Sequence, residues 1–129
     1  MKASRPFLHI LRLADAVLFW PILGFVVWGE LSPASSALPI IAETNDKLLH
    51  FIAYFGLSGM ASAAVKERSM ALKAAAALIL LGGGLEIIQG FIGRDMELYD
   101  EVANTLGVFS GTMICRAIIE PLRLRVAPK

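Results

Sequence analysis

Residues 74–89 read AAAALILLGGGLEIIQ, an uncharged run from Ala74 to Leu85 followed by a carboxylate at Glu86 and an amide three residues on at Gln89. A run of this kind suits lipid, and a charged group close to its end is tolerated there only if it faces a protein interior, a wet cavity or a partner. A hydrocarbon core of about 30 Å needs about 20 mostly apolar residues at 1.5 Å rise each. Four segments approach that length: 11–31, 48–65, 71–92 and 100–119. With 129 residues, 57% of them hydrophobic, and a mean hydropathy of +0.67, the chain has room for one domain and is too apolar for an ordinary soluble one. The expectation is a single all-α domain over residues 1–129, a polytopic membrane protein built as an antiparallel four-helix transmembrane bundle.

The connections agree with that expectation. Residues 32–39 carry Pro33, Pro39 and small polar residues that mark a loop. Short links at 66–69 and 93–99 make successive helices antiparallel neighbours. Lys2 and Arg5 ahead of an apolar stretch, with Ser35, Ser36 and Ala37 beyond it, also resemble a cleaved signal segment. Trp20, Pro21 and Trp28 suit a retained helix with interfacial aromatics instead. Arg12 and Asp15, three residues apart, are placed to pair or to snorkel, and His9 is expected near the interface. The lone Cys115 is read as a small apolar residue inside a helix.

Of the 12 Lys and Arg residues, only Lys47 and Arg94 fall outside the amino terminus, the 66–73 region and the carboxyl-terminal region. Positive residues collect on the cytoplasmic side, so both termini are expected there, in a bacterial cytoplasmic membrane. The basic residues are scattered among short loops and the formal net charge is +1, which argues against a nucleic-acid partner.

That orientation brings the intramembrane polar residues to one level, on the extracytoplasmic side. Asp46, His50 and Tyr54 recur every four residues on one face of the second helix, beside Lys47. Glu86 and Gln89 lie near the outward end of the third, with Arg94 in the loop after it, and Asp100 and Asn104 open the fourth. Gly107 and Gly111 form a small-xxx-small pair below them, and Gly82, Gly83, Gly84, Gly90 and Gly93 surround the polar face of the third helix, as close helix packing requires. Gly56 and Gly59 are read the same way.

The order Asp46-Lys47, His50-Phe51, Tyr54, then Gly84-Leu85-Glu86 with Gln89, then Gly93-Arg94, Asp100, Asn104, Gly107 and Gly111 resembles the VanZ-like family, named for a membrane protein associated with resistance to the glycopeptide teicoplanin. The likeness spans residues 45–111. It implies a polytopic membrane protein associated with the cell envelope and carries no settled reaction. The stretch Asp95-Met96-Glu97-Leu98-Tyr99 departs from the small polar loop usual in the family, which puts a shared ligand in doubt.

Three functions fit. The first is recognition of, or chemistry on, an envelope molecule with an anionic head and a lipid tail. Arg94, helped by Lys47, would hold the head through charge-assisted hydrogen bonds, with Gln89, Asp100, Asn104 and Tyr54 around it. His50 would move the proton, Asp46 would orient its ring, and Glu86 would be the second proton-transfer group. A second is a metal site built from His50, Glu86 and Asp100, although no HExxH or clustered His pattern is present. A third is a non-catalytic binding or partner protein whose polar cluster mainly holds the helices together. No nucleophile elbow, P-loop, dinucleotide fingerprint or other cofactor motif is legible.

Overall fold

The computed structural model describes residues 5–33 and 45–127. Lys2, Glu43, Lys129, most of the proline-bearing loop and the signal-cleavage candidate at 35–37 lie outside them. The described residues are all helical or connecting: α1 (Arg5–Leu31), α2 (Asp46–Ala64), α3 (Arg68–Phe91) and α4 (Leu98–Ile114). A π-helical turn, Cys115–Ile119, joins α4 to α5 (Glu120–Val126). The expected segments are therefore present, with α1 starting six residues earlier than the predicted 11 and the fourth segment continuing past 119.

Local chemistry sets the ends. Asn45 caps α2, its side-chain oxygen accepting from Leu48 N at 3.3 Å, and Asp46 adds a negative charge in the first turn, where the helix dipole favours it. At the end of α3, Gly93 takes the left-handed conformation (φ 82°). Arg94 N donates back to Gln89 O at 3.0 Å, the bond that closes a Schellman cap. That cap reverses the chain and leaves Arg94 facing the end of α1.

Among the described residues, three helices are long and apolar enough to cross a membrane: Pro6–Leu31, Arg68–Phe91 and Leu98–Val126. The predicted span at 48–65 is a helix of the expected extent but does not join them by length and composition. Its polar residues have an internal destination, for α2 is the helix that packs against α1, α3 and α4. Tyr54, Leu57 and Ala61 of α2 meet Leu78 of α3 and Val108 of α4 in the buried core, and Phe19, Leu23 and Val26 of α1 pack over them. The large side chains left outside include Trp20 and Phe25 of α1, Leu80 and Phe91 of α3, and Phe109 and Met113 of α4. Apolar exposure on this scale is what a lipid solvent accepts and water does not.

The tightest seam runs between α2 and α4, which lie side by side in the same direction: His50 pairs with Asn104, and Arg116 reaches the carbonyls of Val65 and Lys66. Gly107 and Gly111 make this approach possible. A Cβ on Gly107 would lie 2.5 Å from Phe51 O, and one on Gly111 would run into Phe55 O and Ser58 Oγ. Gly82 makes room in another way, since a Cβ there would stand 2.7 Å from Glu101 Oε2 and 2.9 Å from Asn104 Nδ2. The packing expectation does not extend to Gly56, Gly84 and Gly93, where an added Cβ meets nothing within 4 Å; Gly93 is required by its backbone conformation.

Candidate functional site

One end of the molecule gathers the polar residues of all four long helices. His50, on the second turn of α2, is 7% exposed. Its Nδ1 lies 2.9 Å from Asn104 Oδ1 and 3.6 Å from Glu30 Oε1. Its other nitrogen, Nε2, faces Asp46 Oδ1 at 3.9 Å and Asp100 Oδ2 at 3.8 Å. Both separations are too long for hydrogen bonds. An amide oxygen can only accept, so the contact with Asn104 places a ring proton on Nδ1; in the neutral ring Nε2 then carries the lone pair and faces the two carboxylates. The residue that orients the ring is thus Asn104, and the expectation that Asp46 does so is corrected.

The other expected residues divide into two groups. Asp46, His50, Gln89, Arg94 and Asp100 line a cavity of about 440 Å³, together with Leu31, Pro33, Ile92, Gly93, Asp95 and Glu97. Tyr54, Asn104 and Glu86 stand behind that lining. Tyr54 is fully buried and its hydroxyl donates to Glu30 Oε2 at 3.4 Å. Asn104 bridges His50 and Glu101, its amide donating to Glu101 Oε2 at 3.2 Å. Glu86, 4% exposed, accepts from Glu97 N at 3.3 Å through Oε2.

Both cations expected to hold an anionic head already have partners. Arg94 Nη1 donates to the carbonyls of Glu30 at 2.6 Å and Ser32 at 2.8 Å, with Gly29 O at 3.4 Å. Together with Gln89 Nε2, which donates to Glu30 O at 2.8 Å, it caps the end of α1, where unpaired carbonyls attract positive charge. Lys47 Nζ sits 2.6 Å from Glu97 Oε2 and 3.4 Å from Asp100 Oδ1. The metal candidate also changes membership: Asp46, His50 and Asp100 each offer a ligand atom within 4.8 Å of the others, and Glu86 is not in the group.

Two carboxylates of this cluster, Glu30 and Glu101, are placed on the outer face by sequence but not assigned to the site. Glu30 lies at the centre of the cluster between His50 and Tyr54, although it interrupts an apolar segment just as Glu86 does; that shared signal could have singled it out. Glu101 contacts Asn104 and Thr105 at the helical spacings of three and four residues, and it reaches inward past the bare Cα of Gly82 on α3, an approach with no sequence signature. The outcome is a negative excess. Glu30 Oε1 and Glu86 Oε1 are buried without hydrogen-bond partners, and Asp100 is 3% exposed. Comparison with known proteins adds no further assignment, as no family model, curated protein or solved structure matches the chain.

Proposed function

We propose that this chain is a VanZ-like membrane protein of the bacterial cytoplasmic membrane. Its four helices form an antiparallel transmembrane bundle with both termini in the cytoplasm, and its polar cavity opens on the extracytoplasmic side. In that cavity it recognises or processes a lipid-linked envelope molecule with an anionic head group. Orientation rests on the skewed distribution of Lys and Arg. The observation that carries the reading is His50: a buried imidazole with one nitrogen fixed by Asn104 and the other turned toward Asp46 and Asp100 at the lining of the cavity.

A neutral Nε2 can take a proton from a hydroxyl or water held in the cavity. Asp100 and Asp46 would stabilise the imidazolium that results, and Asn104 keeps the ring from turning. Glu86 acts from behind the lining, through Glu97 N, and is a positioning residue for the 93–99 loop. Ile92, an exposed apolar side chain on the cavity lining, offers a surface for a lipid tail. Glycopeptide resistance would follow if the molecule processed is an envelope precursor.

The non-catalytic alternative draws support from one feature, the hydrogen bonds that tie α2 to α1 through Tyr54 and Glu30 and to α4 through His50 and Asn104, which in turn is held by Glu101. Envelope-lipid profiles and glycopeptide sensitivity of cells carrying His50→Ala and Glu86→Gln separate the two readings. The processing role predicts that His50→Ala changes both. Profiles that match wild type, with the variants folded and inserted at normal levels, would sink it. Incubation of the purified protein with candidate lipid-linked precursors then shows either a product or an unchanged bound lipid.

A further inference from the structure

The electrostatics of the cavity leave a gap that the proposed function must fill. Glu30, Asp46, Glu86, Asp100 and Glu101 lie around His50 at the ends of the four helices. Against them stand Lys47, shared between Glu97 and Asp100, and Arg94, engaged with main-chain carbonyls. Glu30, Glu86 and Asp100 among them have buried side chains, and buried carboxylates in excess are unfavourable unless protons or cations compensate them; an anionic head group would add to that excess.

We infer that Asp46, His50 and Asp100 form a binding site for one divalent cation of the Mn2+ or Zn2+ class. The inference rests on the reading of this cavity as the working site and supplies the counter-charge that an anionic head group would need there; with an ion bound, His50 Nε2 is a ligand, and the proton-accepting role given to it above belongs to the ion-free cavity. An ion about 2.0–2.2 Å from each donor is compatible with donor separations up to about 4.4 Å. His50 Nε2 stands 3.8 Å from Asp100 Oδ2 and 3.9 Å from Asp46 Oδ1, and all three donor atoms lie within 4.8 Å of one another. Asp46 supplies the adjustment, because its side chain is 59% exposed on the first turn of α2 and free to change rotamer.

His50 itself is held as a ligand would be. It is more than nine-tenths buried, Nε2 makes no hydrogen bond among the described residues, and Nδ1 is held by the Asn104 oxygen. Metal-binding histidines are characteristically fixed in this manner through the nitrogen that does not ligate. A ring nitrogen with two carboxylate oxygens, and open positions toward a cavity, suits ions that accept both nitrogen and oxygen donors. Lys47 is the nearest competitor for Asp100, and its closer contact with Glu97 at 2.6 Å gives it an alternative partner once an ion is bound.

The test is titration of the purified full-length protein in detergent with Mn2+, followed by electron paramagnetic resonance, and with Zn2+, followed by calorimetry. One saturable site is expected for at least one of the two ions. Asp46→Asn, His50→Ala and Asp100→Asn should each weaken it by at least the about 10- to 100-fold that loss of an outer-shell partner costs. Asp46→Asn keeps the test meaningful if the buried variants misfold, since an exposed carboxamide disturbs no packing; thermal melting by circular dichroism checks this. Absence of saturable binding of both ions overturns the inference, as does binding that Asp46→Asn leaves unchanged. Ion binding combined with normal envelope-lipid profiles in His50→Ala cells would keep the ion site and remove the proposed function. Altered profiles without ion binding would do the reverse.

Discussion

The two ends of the helix bundle treat charge in opposite ways. At the end holding the start of α1 and the close of α2, cations and acids are matched. Arg12 pairs with Glu120, and its Nη1 donates to the carbonyls of Val65 and Ala63; Arg123 pairs with Asp15 at 2.6 Å. Arg116 closes the same helix end on Val65 and Lys66. Of the two roles open to Arg12 and Asp15, pairing with each other or snorkelling, the first gives way to partners on α5, Glu120 for Arg12 and Arg123 for Asp15. At the other end, carboxylates outnumber the cations; Glu30 and Glu86 keep buried oxygens without partners, as Glu120 does at the first end, but among the described residues neither carboxylate pairs with an arginine as that of Glu120 does. Matched charges act as locks between helices. Unmatched ones cost stability, and under the proposed function they are kept for the work of the cavity.

The sharpest way to break this comparison is to remove a charge from each end and compare signs. Arg12→Met should destabilise by about 3–5 kcal/mol, because it strands a largely buried carboxylate on Glu120 and uncaps α2. Pairing it with Glu120→Leu should recover most of that loss. Chemical denaturation in mild detergent measures both. If the single variant matches wild type, the matched end is not a lock.

Between the ends lies the seam that both depend on. Gly111→Ala drives a Cβ into Phe55 O and Ser58 Oγ, and overpacking of this kind costs about 1–3 kcal/mol. Gly56→Ala serves as its control, being open on all sides. Equal melting temperatures for the two variants would remove the argument for a close α2–α4 seam.

The third comparison should reverse the sign seen with Arg12. Glu30→Gln and Glu86→Gln remove charges that have no full set of partners, so stability should hold or rise by up to about 1 kcal/mol. A loss of several kcal/mol in either would mean that this end, too, is built for stability.

How much of this contrast is legible in the sequence follows from periodicity. Apolar runs and loop chemistry disclose the helices, since lipid imposes length and hydropathy on them directly. The spacing of Asp46, His50 and Tyr54, and the pair Gly107 and Gly111, discloses which faces meet. Partner choice is different in kind. Arg94 seeks the carbonyls of α1 and Asn104 seeks His50 because the Gly93 cap and the α2–α4 seam bring them there, and neither contact has a sequence signature. Glu30 was visible as a charge at the end of an apolar segment, but only the third dimension places it among residues from two other helices.

The smallest expected effect tests the rim of the carboxylate end, where structure and site overlap. Lys47 hydrogen-bonds Glu97, and that bond, reinforced by the lysine's charge, holds the Glu97 carboxyl below its ordinary value of 4.5. A carboxyl with a lowered folded pKa contributes stability that is complete above the unfolded value and is lost as pH falls through the folded one. Melting temperatures measured from neutral pH downward should therefore show Glu97→Gln slightly below wild type near neutrality, with the two curves converging once the pH drops well under 4.5. Added salt should shrink the difference, because the pair is exposed to solvent. Lys47→Met removes the contact with Asp100 as well, so it should fall below Glu97→Gln by whatever the buried Asp100 requires of the lysine. If the two variants melt together at every pH, Lys47 serves the rim alone. Asp100 is then as unmatched as Glu30 and Glu86, and the division between a locked end and an open one runs through the first turn of α2 itself.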